Sequence, residues 1–190
     1  MINIRINKNM NTQNELFSHL PLSAAFTGYR ISKLPFEPTS ENINRLKAKL
    51  KEAVNTLYLR GFRTFYSGMC NGVDIWAAEA VLEFKKEFPD TALICAVPFE
   101  GHSDKLKGDE LEAYRRITNN ALRVDILKGR ITYRETARAF NERNKYMVDN
   151  SDALIAVCNK DSLTPGGTAN TVKMAQKKGI DIIFVNPEKI

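Results

Sequence analysis

The chain has 190 residues, of which 43% are hydrophobic and 26% charged, with 28 basic and 22 acidic side chains and a net charge of +6. That length suits one domain with its own core, and that composition excludes collagen-like, low-complexity and disulfide-scaffold chains. No apolar run reaches the length of a membrane span and the first residues carry no basic-then-apolar leader pattern, so a cytoplasmic protein with no membrane partner is the expectation.

Residues 1–22 read as an N-terminal arm or edge segment, in which Ile2, Ile4 and Ile6 alternate as a short edge strand does. Ser23 to Phe26 is the first buried strand, and it runs into Thr27-Gly28-Tyr29-Arg30. Pro35 and Pro38 mark a loop. Ser40 to Arg60 reads as a helix, since Ile43, Leu46, Leu50, Val54 and Leu57 recur at helical spacing. Ser40 is its expected N-cap and Gly61 closes it. Phe62 to Tyr66 is the second strand, followed by a loop from Ser67 to Asp74. The next helix carries Val73, Trp76, Ala77, Ala80, Val81, Phe84 and Phe88 on one stripe and ends at Pro89.

Ala92 to Val97 is the third strand, closed by Pro98-Phe99. A charged helix over Ser103 to Asn119 and a strand over Leu122 to Leu127 follow. Thr132 to Asn150 reads as a helix with Tyr133, Ala137, Phe140, Met147 and Val148 inward. Asn144 shares that stripe, so it needs hydrogen-bond partners or touches a ligand. Ala153 to Val157 is the fifth strand, Thr168 to Lys178 a helix ended by Gly179, and Ile180 to Val185 the last strand. Strands alternate with helices from end to end. The expected fold is a single Rossmann-like α/β domain over 23–190, three layers deep, with a mainly parallel sheet between helices.

Three strand ends carry unusual residues: Thr27-Gly28-Tyr29-Arg30, Ser67-Gly68 through Gly72-Val73-Asp74, and Pro165-Gly166-Gly167-Thr168. In a parallel sheet all three meet at the carboxyl edge, where ligands of open α/β folds bind. Glycines let the backbone amides approach an anion, and a helix N-terminus favours negative charge. Thr168 is the expected cap of the last helix. Arg30 suits a phosphate, and Asp74 suits either a ribose hydroxyl or a cap shared with Asn71. Neither GxGxxG nor GxxxxGK[ST] is present. Neither histidine lies near a glycine-flanked serine, which argues against a Ser-His-Asp triad.

The cysteines, Cys70, Cys95 and Cys158, are odd in number and include no close pair, against a disulfide framework or a zinc knuckle. Cys95 and Cys158 read as buried, whereas Cys70, beside a glycine loop, reads as exposed. His19 and His102 are the only histidines, so no metal site is expected.

FTGYR, SGMCNGVDIWAAEAVLEFK, VPF, RNKYMVDNSDALIAV and PGGTANTVKMA, in this order, resemble the YpsA-like family. That family belongs to the SLOG superfamily of Rossmann-like domains, with the DNA-processing protein DprA and the LOG phosphoribohydrolases. The resemblance covers about residues 23–187. It implies a pocket for a nucleotide or nucleotide-derived ligand, ADP-ribose-like ligands included, built from Thr27, Gly28, Arg30, Ser67, Gly68, Gly72, Asp74, Pro98, Phe99, Asn144, Gly166, Gly167 and Thr168. LOG enzymes carry a PGGxGTxxE motif whose glutamate serves N-glycosidic hydrolysis. Thr171 stands at that position here and cannot act as an acid–base carboxylate, which leaves Asp74 or Glu79 as substitutes.

Binding of a small nucleotide derivative is therefore the first expectation, and a LOG-type N-glycosidase or phosphoribohydrolase is the alternative. Single-stranded DNA binding, as in DprA, ranks third, because the basic residues are scattered and no aromatic platform stands out. A homo-oligomer is left open.

Overall fold

The computed structural model describes residues 21–190. The expected strand over Ile2, Ile4 and Ile6, and most of the arm, lie outside the described residues. Leu22, placed in that arm by the sequence, instead opens the first strand. Six strands form one sheet: β1 (Leu22–Gly28), β2 (Phe62–Ser67), β3 (Ala92–Val97), β4 (Arg123–Ile126), β5 (Ala153–Val157) and β6 (Asp181–Val185). Their order is β4-β3-β2-β1-β5-β6, and every pairing is parallel. Five helices connect them: α1 (Ser40–Tyr58), α2 (Val73–Glu87), α3 (Gly108–Asn120), α4 (Thr136–Asp149) and α5 (Gly167–Lys178). The expected Rossmann-like, three-layer α/β arrangement is present.

The sheet separates two apolar layers. On one face Phe26, Phe65, Leu93 and Val97 pack with Leu46, Leu50, Leu57, Trp76 and Phe84 of α1 and α2. On the other, Ala25, Ile94 and Leu154 pack with Met147 and Val148 of α4 and Val172 and Ala175 of α5. Burying each large side chain contributes roughly 1.5–3 kcal/mol. The central strands are buried on both sides, as in the five consecutive buried residues of β5, and so read as continuous apolar runs without alternation.

Several local expectations shift. Thr39, not Ser40, caps α1: its hydroxyl accepts from the Asn42 amide at 3.2 Å, and Ser40 is already helical. The charged helix begins at Gly108, after a separate 3₁₀ turn at His102–Lys105. Thr132 closes a capping box with Glu135 around a 3₁₀ turn, Tyr133–Glu135, so α4 itself starts at Thr136. That turn swings Tyr133 outward to 87% exposed, and Ala137 is exposed too, against the inward placement read from spacing.

Strand order reverses at β1. Moving outward from it, β2, β3 and β4 follow on one side and β5 and β6 on the other. The loops after β1 and β5 therefore part in opposite directions and leave a crevice at their carboxyl ends, the topological switch point of an open α/β sheet.

Candidate functional site

A cleft of about 770 Å³ occupies that crevice. Phe26, Thr27 and Gly28 line it from the end of β1, and Arg30 and Lys33 from the loop that follows. Gly166, Gly167, Thr168 and Asn170 line it from the start of α5, and Phe140, Arg143, Asn144 and Met147 from α4. Asp74 reaches it from α2, and Arg134 stands on its rim.

The α5 end of the cleft is suited to an anion. Gly166 precedes the helix with φ 151° and ψ −167°, and no side chain caps it. The first-turn amides, Gly167 to Ala169, lack intrahelical acceptors by geometry, and the helix dipole adds to their pull on negative charge. Thr168 does not cap, contrary to the sequence expectation. It lies inside the helix, and its hydroxyl donates to the Gly28 carbonyl at 2.9 Å, tying the β1 and α5 ends together. Asn144 lies next to this helix end: a Cβ on Gly167 would stand 3.8 Å from its Nδ2. Asn144 is 8% exposed, lines the cleft, and its amide has no hydrogen-bond partner among the described residues.

Cations surround the same volume. Arg30 lays its guanidinium over the Phe140 ring at 4.9 Å. A Cβ on Gly166 would lie 3.9 Å from Lys33 Nζ. Among the described residues Arg30, Lys33 and Arg134 have no carboxylate partner, so the cleft carries three uncompensated positive charges.

The fourth cation, Arg143, is compensated. It is 4% exposed, and its Nη1 donates to Asp74 Oδ2 at 3.0 Å while Nη2 lies 3.2 Å from Cys70 Sγ. Burial opposes the guanidinium charge, but the Asp74 carboxylate beside it favours that charge and its pKa is raised. The Cys70 amide also donates to Asp74 Oδ2, at 3.2 Å, so Asp74 reaches back over the helix start where an Asn71 cap was expected. Cys70 is buried, not exposed, because this network draws its loop inward. Burial pushes its thiol pKa up despite Arg143, which keeps it a neutral thiol near neutral pH.

The expected glycines divide by role. Gly28, Gly166 and Gly167 line the cleft, but Gly68 and Gly72 do not. A Cβ on Gly68 would sit 1.0 Å from Arg143 Nη1, so the absent side chain makes room for the guanidinium. Gly72 has φ 85°, and a Cβ there would stand 2.7 Å from the Tyr29 carbonyl oxygen. Ser67 is fully buried: its hydroxyl donates to the Asp74 carbonyl at 2.7 Å and accepts from the Met69 amide at 3.2 Å. Pro98 is buried outside the cleft lining. Phe99 backs Phe140 through ring contacts at 6.0 Å. Ser67, Gly68, Gly72, Pro98 and Phe99 thus support the cleft from behind.

The carboxylates bearing on hydrolysis are separated. Thr171 has no exposed surface and donates to the Gly167 carbonyl at 2.8 Å. Glu79 lies outside the cleft lining, held by Lys47 at 2.7 Å and by Arg116. Asp74 is the carboxylate in the cleft lining. Among the described residues no three His, Cys, Asp or Glu side chains group as metal ligands, and no helix is long and apolar enough to cross a membrane.

Arg143 was not singled out from sequence, although Ala139, Arg143 and Met147 are spaced four apart and all are buried on α4. Lys33 and Arg134 sit in 3₁₀ turns with no periodic signal.

Comparison with known proteins agrees with this architecture. The sequence model of the YpsA family, described as the YspA SLOG family, matches residues 24–190. A UPF0398 protein of Bacillus cereus strain G9842 is 32% identical over 156 residues, 82% of this chain and 83% of that one. A UPF0398 protein of Bacillus thuringiensis strain Al Hakam is 31% identical over the same length and shares of the two chains. A solved structure of DNA processing protein A from Helicobacter pylori, described for its single-stranded DNA binding mode, superposes with a TM-score of 0.55 at 21% identity. The match covers 87% of this chain and 66% of that one, and it is a likeness of fold. On the family match and the shared sequence, this chain belongs to the YpsA family of SLOG proteins.

Proposed function

We propose that the cleft binds a phosphate-bearing nucleotide derivative. The observation that carries this reading is Asn144: a side-chain amide 8% exposed, without a partner among the described residues, beside an uncapped helix start. An amide that faces the cleft without a protein partner is placed to bond a ligand oxygen. The ligand's phosphates rest on the first-turn amides of α5, with Arg30, Lys33 and Arg134 adding charge. Asp74 Oδ2 is committed to Arg143 and the Cys70 amide, so Oδ1 is the oxygen left for a ribose hydroxyl. Phe26, Met147 and Phe140 supply apolar walls.

The test is a thermal-shift and calorimetric panel of AMP, ADP-ribose and NAD. A ligand that binds only the folded chain raises its melting temperature. Stabilisation that weakens in Asn144→Ala and Lys33→Ala supports the reading. No shift with any of the three at millimolar concentration rejects it.

A second reading is single-stranded DNA binding, favoured by Tyr133. This ring is 87% exposed on the cleft rim, next to Arg134, which has no carboxylate partner among the described residues. Aromatic rings and cations along an open groove are what single strands stack on. Fluorescence anisotropy with a labelled oligonucleotide tests it. Binding that falls steeply with salt and with Tyr133→Ala supports it, and no binding at low salt removes it.

A further inference from the structure

Outside the cleft, β4 ends the sheet and pairs only with β3 among the described residues. Its sequence with the preceding residue is Leu122-Arg123-Val124-Asp125-Ile126. Leu122, Val124 and Ile126 project from one face and are 67%, 37% and 56% exposed. Arg123 and Asp125 project from the other, where they pair with each other at 2.7 Å, a pair that an antiparallel copy would exchange for two across the seam, and Asp125 also accepts from the Tyr146 hydroxyl at 2.7 Å. Proteins protect a free edge with a proline, a bulge or charges on the strand's open face. Here the open face is apolar, the strand holds no proline, and its pairing with β3 is regular.

The five-residue pattern is self-complementary: apolar, cation, apolar, anion, apolar. Two copies run antiparallel and centred on Val124 set Arg123 opposite the partner's Asp125 and Leu122 opposite the partner's Ile126. Val124 then faces its own copy. Residues directly opposite across an antiparallel pair share a face of the sheet, so all six apolar side chains form one stripe and two ion pairs form on the other face. A one-residue slip breaks both matches. A self-complementary patch of this kind is what an isologous two-fold interface requires.

We propose that β4 pairs with β4 of a second copy, in this register, to make a continuous twelve-stranded sheet (two six-stranded halves). The cleft at β1 and β5 lies away from this edge, so association leaves it open.

Sedimentation velocity on the full chain tests the proposal. The wild-type chain is expected to reach twice its monomer mass at tens of micromolar. Arg123→Asp places two anions opposite two anions, and Asp125→Arg two cations opposite two cations, so each variant alone sediments as a monomer. Mixed together, they form a heterodimer, because the two anions of one strand then meet the two cations of the other. A contact within one chain cannot produce rescue by mixing. Where these variants melt early, Val124→Lys, on the solvent face, keeps the wild-type melting temperature and sediments as a monomer. A wild-type chain that stays monomeric at millimolar concentration overturns the proposal, whatever else then covers the strand. So do single variants that remain dimeric, or a mixture of folded variants that stays monomeric.

Discussion

Arg143 Nη1 lies 3.0 Å from Asp74 Oδ2, and the two side chains are 5% and 9% exposed. The pair joins α4 to the start of α2 beneath the cleft, and Gly68 makes room for it. A buried ion pair adds little net stability over an apolar pair of the same shape, but losing one partner leaves the other charge stranded. Its value here is positional: it holds Asp74 and the Cys70 loop at the cleft floor.

Arg143→Met should therefore destabilise the fold by about 3–5 kcal/mol, since Asp74 is left buried and unpaired. Asp74→Asn should also cost stability. The double variant should lose less than the sum of the two, because no lone charge remains. Urea unfolding of the four proteins checks this, and additive losses contradict the coupling.

Gly68→Ala should displace Arg143, since the new methyl cannot share the position of Nη1. Overpacking of this kind costs about 1–3 kcal/mol. Gly68→Ala in an Arg143→Met background should cost far less, because the clashing atom has gone. Denaturation midpoints of the pair of variants decide between steric exclusion and a backbone requirement.

Arg30→Ala and Lys33→Ala should each weaken a phosphate-bearing ligand by roughly ten- to a hundredfold, the range for one charge-assisted hydrogen bond of about 1.5–3 kcal/mol. Both residues are exposed, so folding stability should stay within about 0.5 kcal/mol of wild type. Glu79→Ala, outside the cleft, should leave binding unchanged. Isothermal titration calorimetry separates the three.

His102 gives a pH dependence. Its Nε2 donates to the Met69 carbonyl at 3.1 Å, and the Phe99, Tyr114 and Phe140 rings surround it. Burial, helped by Arg143 and Arg30, holds its pKa below the ordinary 6.5, while the Met69 carbonyl and Asp74 oppose the shift. The unfolded chain then takes up a proton before the folded one does. The contribution is complete above the ordinary value and is lost as pH falls from there through the lowered folded value. Stability should decline as pH falls below about 7.5, through the ordinary histidine range and on to the lowered folded value, and His102→Gln should flatten part of that decline. Urea midpoints across the range measure it, and identical profiles for both proteins rule it out.

The sequence alone determined the alternation of strands and helices, the parallel sheet, and the three glycine-bearing loops at its carboxyl edge. These follow from local periodicity and turn chemistry, which act over a few residues, so Phe62 to Tyr66 and Ala153 to Val157 were legible as strands. Gly166, Gly167, Arg30 and Asn144, expected from the sequence at a ligand pocket, all line the cleft. Helix starts were less so: Thr39 and Gly166, not Ser40 and Thr168, take the capping positions, because hydrogen bonds to Asn42 and Gly28 decide them. Only the tertiary structure divided the glycines between cleft and support. Gly68 yields to Arg143, two strands further along the chain, and no local pattern encodes an encounter across that separation. It likewise brought Lys33 and Arg134 to one cleft, and buried Cys70 where its glycine neighbours suggested exposure. The Pro-Gly-Gly turn needed the chain's full path to meet Arg30 and Lys33 in one cleft, since those charges come from another loop.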